Sequence, residues 1–134
     1  MTYLLDTNIC IYALNRRPPE VLRRLRQLRP DDVTLSVVTV VELRAGADGS
    51  REPDLAHAKL DAFFAPLRVL SFDEDDANAC ASLRSKLRAE GRPIGHFDSL
   101  IAAQALRRDH ILVSNNLREF ARVEGLRREN WVEA

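Results

Sequence analysis

Long apolar runs are missing from this 134-residue chain. Nothing in it approaches the roughly 18 consecutive apolar residues of a spanning helix, which excludes a helical membrane protein. Met1-Thr2-Tyr3-Leu4-Leu5-Asp6 has no basic segment feeding a long apolar one, so no secretory signal is read and a cytoplasmic protein is expected. Cysteine is scarce as well. Cys10 and Cys80 are too few for a disulfide framework and are expected to be small buried hydrophobes.

Several chemistries have nothing to stand on. There is no glycine-rich phosphate loop, no Gly-x-Ser-x-Gly elbow and no Cys-x-x-Cys pair, which removes P-loop nucleotide hydrolysis, serine esterase and thiol redox chemistry. His57, His96 and His110 show no pairing one helical turn apart, so a zinc site is not read and they are taken as surface or turn residues, His96 standing two before Asp98. Aromatic residues make up 6% of the chain, and Phe120 and Trp131 are read as packing residues, not base-stacking ones. Net charge is zero, with 20 basic and 20 acidic residues, so bulk attraction to nucleic acid is excluded and any such contact needs local patches. Arginine clusters at Arg16 and Arg17, from Arg23 to Arg29, and at Arg107 and Arg108 are the available patches; each is otherwise a solvated helix face.

What is present is an ordinary globular composition, 46% hydrophobic and 30% charged, enough to bury a core in one domain over residues 1–134. Tyr3-Leu4-Leu5 reads as a strand and Thr7 to Leu14 as a helix. After the turn at Pro18-Pro19, apolar residues at Val21, Leu22, Leu25 and Leu28 predict a second helix, followed by a strand at Val33 to Ser36. Thr39-Val40-Val41-Glu42 matches a capping box and predicts a helix opening there, with a turn-rich stretch from Gly46 to Asp54. Further helices are expected at Leu55 to Phe64, Asp75 to Glu90 and Phe97 to Arg108, and strands at Val69-Leu70, Ile111 to Ser114 and near Trp131-Val132. Short apolar strands alternating with helices predict an α/β fold of three layers, α/β/α, around a parallel sheet of four or five short strands. Ligands collect at the carboxyl ends of the strands in such a sheet.

Three carboxylates fall at junctions that the sheet gathers on one edge: Asp6 closing the first strand, Glu42 in the first turn of its helix, and Asp98 opening a helix after Gly91 to Gly95. Each alone could cap a helix. Together at one edge they would repel one another unless a cation sat between them. Oxygen ligands without histidine or thiolate suit Mg2+, with Mn2+ able to substitute, and such an ion activates water and neutralises charge on a phosphodiester.

Leu5-Asp6-Thr7-Asn8, Val40-Val41-Glu42-Leu43 with Gly46, Phe97-Asp98-Ser99-Leu100-Ile101-Ala102 and Leu112-Val113-Ser114-Asn115-Asn116 resemble, in order, the motifs of the PIN-domain family. The tail from Arg118-Glu119-Phe120 to Asn130-Trp131 is similar to that of enteric-type VapC toxins within it. The resemblance implies that Asp6, Glu42 and Asp98 bind the metal, that Asn8 and Ser114 are polar neighbours in the site, and that Asn116 stands where many relatives carry a fourth acid, a role open to Glu119. It further implies a metal-dependent endoribonuclease leaving a 5′-phosphate, a tRNA target cut in the anticodon loop of the initiator, and a homodimer. It also implies neutralisation by a VapB antitoxin, which would carry any contact with operator DNA. A PIN-like module that binds RNA or protein without turnover, and a metal-dependent nuclease acting on DNA, are the competing expectations; Asn116 favours the first of them, and the sequence does not separate RNA from DNA.

Overall fold

The computed structural model describes residues 1–132. The chain runs β1 (Tyr3–Leu5), α1 (Thr7–Asn15), α2 (Pro19–Arg26), β2 (Val33–Ser36), α3 (Val37–Asp48), α4 (Pro53–Phe64), β3 (Arg68–Leu70), α5 (Glu74–Ala89), α6 (His96–Arg108), β4 (Ile111–Val113), α7 (Leu117–Phe120) and β5 (Arg128–Glu129), with one 3-10 turn at Pro30–Asp32. The five strands form one sheet of order β3-β2-β1-β4-β5. All neighbours are parallel, and Leu5 stands level with Leu35 and Val113.

Side chains alternate across the strands, and the two faces bury different cores. Tyr3, Leu5, Val33, Leu35, Ile111 and Val113 face α1 to α4, packing with Ile9, Cys10, Val21, Leu43, Leu60 and Trp131. Leu4, Leu70 and Leu112 face the opposite way, against Leu83 and Leu87 of α5, Ile101 of α6, and Phe120. The expected three layers are therefore present. Both cysteines are buried and unpaired, and burial pushes the Cys10 thiol well above its ordinary value, so it is inert packing.

The order of the sheet positions the site. From β1 the chain moves outward one way to β2 and β3, then returns to the other side of β1 for β4 and β5. The crevice of such a reversal opens beyond the carboxyl ends of the two central strands, here just after Leu5 and Val113.

Three local expectations are corrected. Helix α3 is capped by Ser36, whose Oγ accepts from the Val38 amide at 3.1 Å. Thr39 lies inside the helix with a buried hydroxyl lacking a partner, and Glu42 sits in the second turn instead of closing a capping box. The strand β2 ends at Ser36, and that ending sets the helix start. Gly46 does not break the helix, which continues to Asp48. The last strand is Arg128–Glu129, three residues before the expected Trp131-Val132, because pairing with Leu112 and Val113 defines it, not an apolar pattern of its own. Trp131 is 5% exposed and packs against Tyr3, in keeping with a packing role.

Arg107 and Arg108 are held within the fold. They reach from the end of α6 to the start of α5, where Arg107 pairs with Asp75 and Asp76 at 3.1 Å and Arg108 with Asp76 at 2.9 Å. Helix α5 ends in a left-handed turn at Gly91 (φ +69°), with the Gly91 amide donating to Arg88 and the Arg92 amide to Leu87. That turn sends the chain back so that α6 begins beside the crevice.

Candidate functional site

Asp6 follows β1 directly and caps α1, its Oδ1 accepting from the Ile9 amide at 2.9 Å. It is 6% exposed. Burial pushes its carboxyl above the ordinary 3.8, a hydrogen bond from Ser114 and the Ile9 amide pull it back, and the charge of Glu42 adds to the rise. Ser114 stands just past β4 and is fully buried, its amide donating to the carbonyl of Glu129 at 3.0 Å.

Glu42 reaches the same crevice from α3. Thr7, the first residue of α1, donates its hydroxyl to Glu42 Oε1 at 2.6 Å. Thr7 was not singled out from the sequence, although it follows Asp6 directly. The link from α1 to α3 spans 35 residues and exists only once the two helices pack.

Asp98 lies in the first turn of α6, half-buried. Its carboxyl is pushed up to about 6, first by burial, then by the charge of Glu119 and a hydrogen bond donated to that carboxylate, then by the charges of Asp6 and Glu42. Glu119 takes the opposite shift. A bond from the Gly95 amide at 2.8 Å holds it below its ordinary value, with support from Asn116 Nδ2 at 2.7 Å. Gly95 leaves this corner open: a Cβ there would meet Asp98 Oδ2 at 3.6 Å and Glu119 Oε1 at 3.9 Å.

Polar groups join the acids into one network. The Asn116 amide donates to Ser114 Oγ at 2.9 Å, Ser114 lowers the Asp6 carboxyl, and the Asn116 side chain orients Glu119. The structure thus brings Asp6, Glu42, Asp98, Glu119, Ser114 and Asn116 together. Asn8 is exposed in the first turn of α1, with no side-chain hydrogen bond to the acids among the described residues.

The donor set is all oxygen, and the charges acting most on Asp98 are carboxylates. Among the described residues no three or more acidic, histidine or cysteine side chains are already drawn close enough to hold a metal ion. An open ring fits a small hard cation that keeps most of its water and needs only one or two carboxylates directly, better than a zinc or calcium cage. Beside Glu42 an apolar groove of about 460 Å³ runs between α1, α3 and α4, lined by Ile11, Leu14, Leu43, Leu55 and Leu60.

A model of the PIN domain matches residues 3–126. The chain is 40% identical over 131 residues to the tRNA(fMet)-specific endonuclease VapC of Shigella flexneri, covering 98% of each. It is 42% identical over 132 residues to Ribonuclease VapC2 of Haemophilus influenzae, covering 98% of this chain and 99% of that one. Its fold is similar to that in the crystal structure of DNA-bound VapBC from Salmonella typhimurium, with a TM-score of 0.92 and 34% identity over 98% of this chain and 99% of that chain. VapBC2 from Rickettsia felis, bound to a promoter DNA fragment, gives a TM-score of 0.91 and 34% identity over 98% of this chain and 100% of that chain.

Proposed function

The chain belongs to the PIN domain family, and on that premise we propose that it is the toxin ribonuclease of a type II toxin–antitoxin pair, a VapC-type enzyme that hydrolyses RNA phosphodiesters with a divalent metal ion. On this reading residues 1–134 form one PIN domain. The observation that supports the site assignment is the convergence of Asp6 at the end of β1, Glu42 on its bond from Thr7, and Asp98 and Glu119 about the Gly95 amide, with Asp98 pushed up to about 6 first by burial and then by the neighbouring acids. Such a ring becomes favourable when a cation enters it.

Asp6, Glu42 and Asp98 would hold the ion, Mg2+ in the cell with Mn2+ able to substitute. When bound, it supplies an activated water and neutralises charge developing on the phosphodiester. The chain's own groups prepare the geometry. The Ile9 amide and Ser114 fix Asp6, Thr7 fixes Glu42, and the Gly95 amide with Asn116 fixes Glu119 in its ionised form. Asp98, raised by burial and by Glu119, would be held ionised by the ion it helps to bind. Glu119, in the role of a fourth acid, would assist the leaving group or help hold a second ion, with Asn116 as its orienting partner. No covalent enzyme intermediate is needed, and the products carry a 5′-phosphate and a 3′-hydroxyl.

The full-length likeness to a tRNA(fMet)-specific endonuclease supports the anticodon loop of initiator tRNA as the target. A single-stranded loop offers splayed bases and an accessible backbone. The apolar groove beside Glu42 supports a VapB antitoxin segment as its occupant, and the likeness to VapBC complexes on DNA supports operator contact through the antitoxin. The active toxin is a homodimer on this reading.

The direct test is incubation of the free, folded chain with purified tRNA in Mg2+ or Mn2+ and then in EDTA, mapping the ends produced. A discrete anticodon-loop cut with a 5′-phosphate, lost in EDTA, is the expected result; intact tRNA in the metal-replete reaction would overturn the proposal. Thr7→Val should slow the same cut by about tenfold, the effect of losing one hydrogen bond to a charged group. A rate within twofold of wild type would show that Glu42 holds its place without Thr7.

A further inference from the structure

The first turn of α6 carries Asp98, yet its cap residue, Gly95, offers no side chain to hold it. Two groups from elsewhere in the chain hold it instead. One is Glu119, on the Gly95 amide. The other is Arg84 of α5, which plays no part in the chemistry described so far.

Arg84 is half-buried, and its guanidinium forks across the turn. Nε donates to Ser99 Oγ at 2.7 Å and Nη2 donates to the His96 carbonyl at 2.9 Å. Ser99 is fully buried and donates in turn to the same carbonyl at 2.8 Å. The Cys80 thiol, one helical turn before Arg84, lies 3.9 Å from Ser99 Oγ and closes off that side. Residues 96 and 99 are thus tied to α5 by a planar cation, residue 95 is tied to Glu119, and Asp98 lies between the two anchors.

We propose that Arg84 is a positioning residue for Asp98: through His96 and Ser99 it sets the rotation of the first turn of α6, and so where the Asp98 carboxylate meets the cation. This rests on the ribonuclease reading above and adds a residue outside the acid ring. The fork is the essential feature. A guanidinium presents two coplanar donors to two acceptors, and an ammonium is a single point that cannot span them. Misplacing a reacting group by about 1 Å costs on the order of a hundredfold in rate, so a small rotation of this turn suffices.

The test compares wild type with Arg84→Ala, Arg84→Lys and, as a charge control on the same helix, Arg88→Met. Three quantities are read: RNA cleavage split into kcat and KM, Mn2+ affinity by calorimetry without RNA, and cleavage after adding guanidinium ion or an equal concentration of sodium chloride. Arg84→Ala should lower kcat by about thirtyfold with KM within about twofold. It should weaken Mn2+ binding by about tenfold, the scale seen for groups that orient metal ligands. Arg84→Lys should recover little and Arg88→Met should behave as wild type. Guanidinium, but not sodium, should restore at least part of the lost rate in Arg84→Ala. Mn2+ affinity and kcat within twofold of wild type in Arg84→Ala, or a loss that follows the unfolded fraction and ignores guanidinium, would overturn the proposal. If wild type cuts no RNA, the ribonuclease reading falls while the Mn2+ comparison still decides the role of Arg84.

Discussion

Asp6→Asn is expected to lower RNA cleavage by on the order of 10³-fold while leaving the protein at least as stable as wild type near pH 7. The loss follows from charge. An amide has nearly the shape of the carboxylate but lacks the negative charge with which Asp6 would hold the proposed divalent cation. The retained stability follows from two features of the same residue. Asparagine caps helices as well as aspartate, so the bond from the Ile9 amide survives. Burial also holds the Asp6 carboxyl above the ordinary 3.8. The folded state therefore binds this proton more tightly than the unfolded chain does. The resulting penalty is absent below 3.8, develops as pH rises through the elevated folded value, and is present in full at neutral pH. Removing the charge removes the penalty. Thermal unfolding of both proteins across pH 3 to 8 checks this: Asp6→Asn should match or exceed wild type at pH 7, with the gap closing in acid. A clear destabilisation at neutral pH would mean that the carboxylate is stabilised by the protein itself, without a cation.

The largest loss of stability is expected at Asp76, far along α5 from the acids. Asp76 is fully buried. It exchanges capping-box bonds with Asp73 and receives bonds from Arg107, Arg108 and Gln104, joining the start of α5 to the end of α6. Burial pushes its carboxyl up, but the hydrogen bond from Arg108, the Asp73 amide and the two guanidinium charges outweigh that and leave it below 3.8. Asp76→Ala leaves both arginines without this partner and should cost about 3–5 kcal/mol. For a chain of this size that corresponds to a fall of roughly 10 °C or more in Tm. The sign of the pH dependence is opposite to that at Asp6. The stability contributed by Asp76 is complete above 3.8 and is lost as pH falls through the depressed folded value, so the variant should show a shallower acid limb than wild type. Measured at a temperature where both proteins are folded, the cleavage rate per folded molecule should stay within about twofold. A fall in Tm of only a degree or two would mean that Asp73 and Asp75 suffice to neutralise the pair of arginines.

The two variants separate the roles of carboxylates in this chain. Asp76 is matched by arginines within the fold and stabilises it. Asp6 and Asp98 are held above their ordinary values by burial and by neighbouring carboxylates, which is what the proposed cation site would require.

The sequence by itself determined the layers. Strands buried on both faces read as unbroken apolar runs, Tyr3-Leu4-Leu5 and Ile111-Leu112-Val113, and helices between them read as periodic apolar positions, because both patterns are local consequences of burial. Asp6 at the end of β1 and Asp98 at the start of α6 were legible as junction residues, whereas Glu42 lies in the second turn of α3. Tertiary structure decided what no local pattern carries. Thr39-x-x-Glu42 has the form of a capping box, but the helix start was fixed by where β2 stops pairing, while the box that forms is Asp73 with Asp76. Arg128–Glu129 became a strand only because β4 offered it a free edge. The Thr7–Glu42 bond and the Arg84 fork each join two separate helices. Hydrogen bonds need distances good to a few tenths of an ångström. Those distances are set by how whole helices pack on the sheet, whereas periodicity tells only which side of each helix faces it.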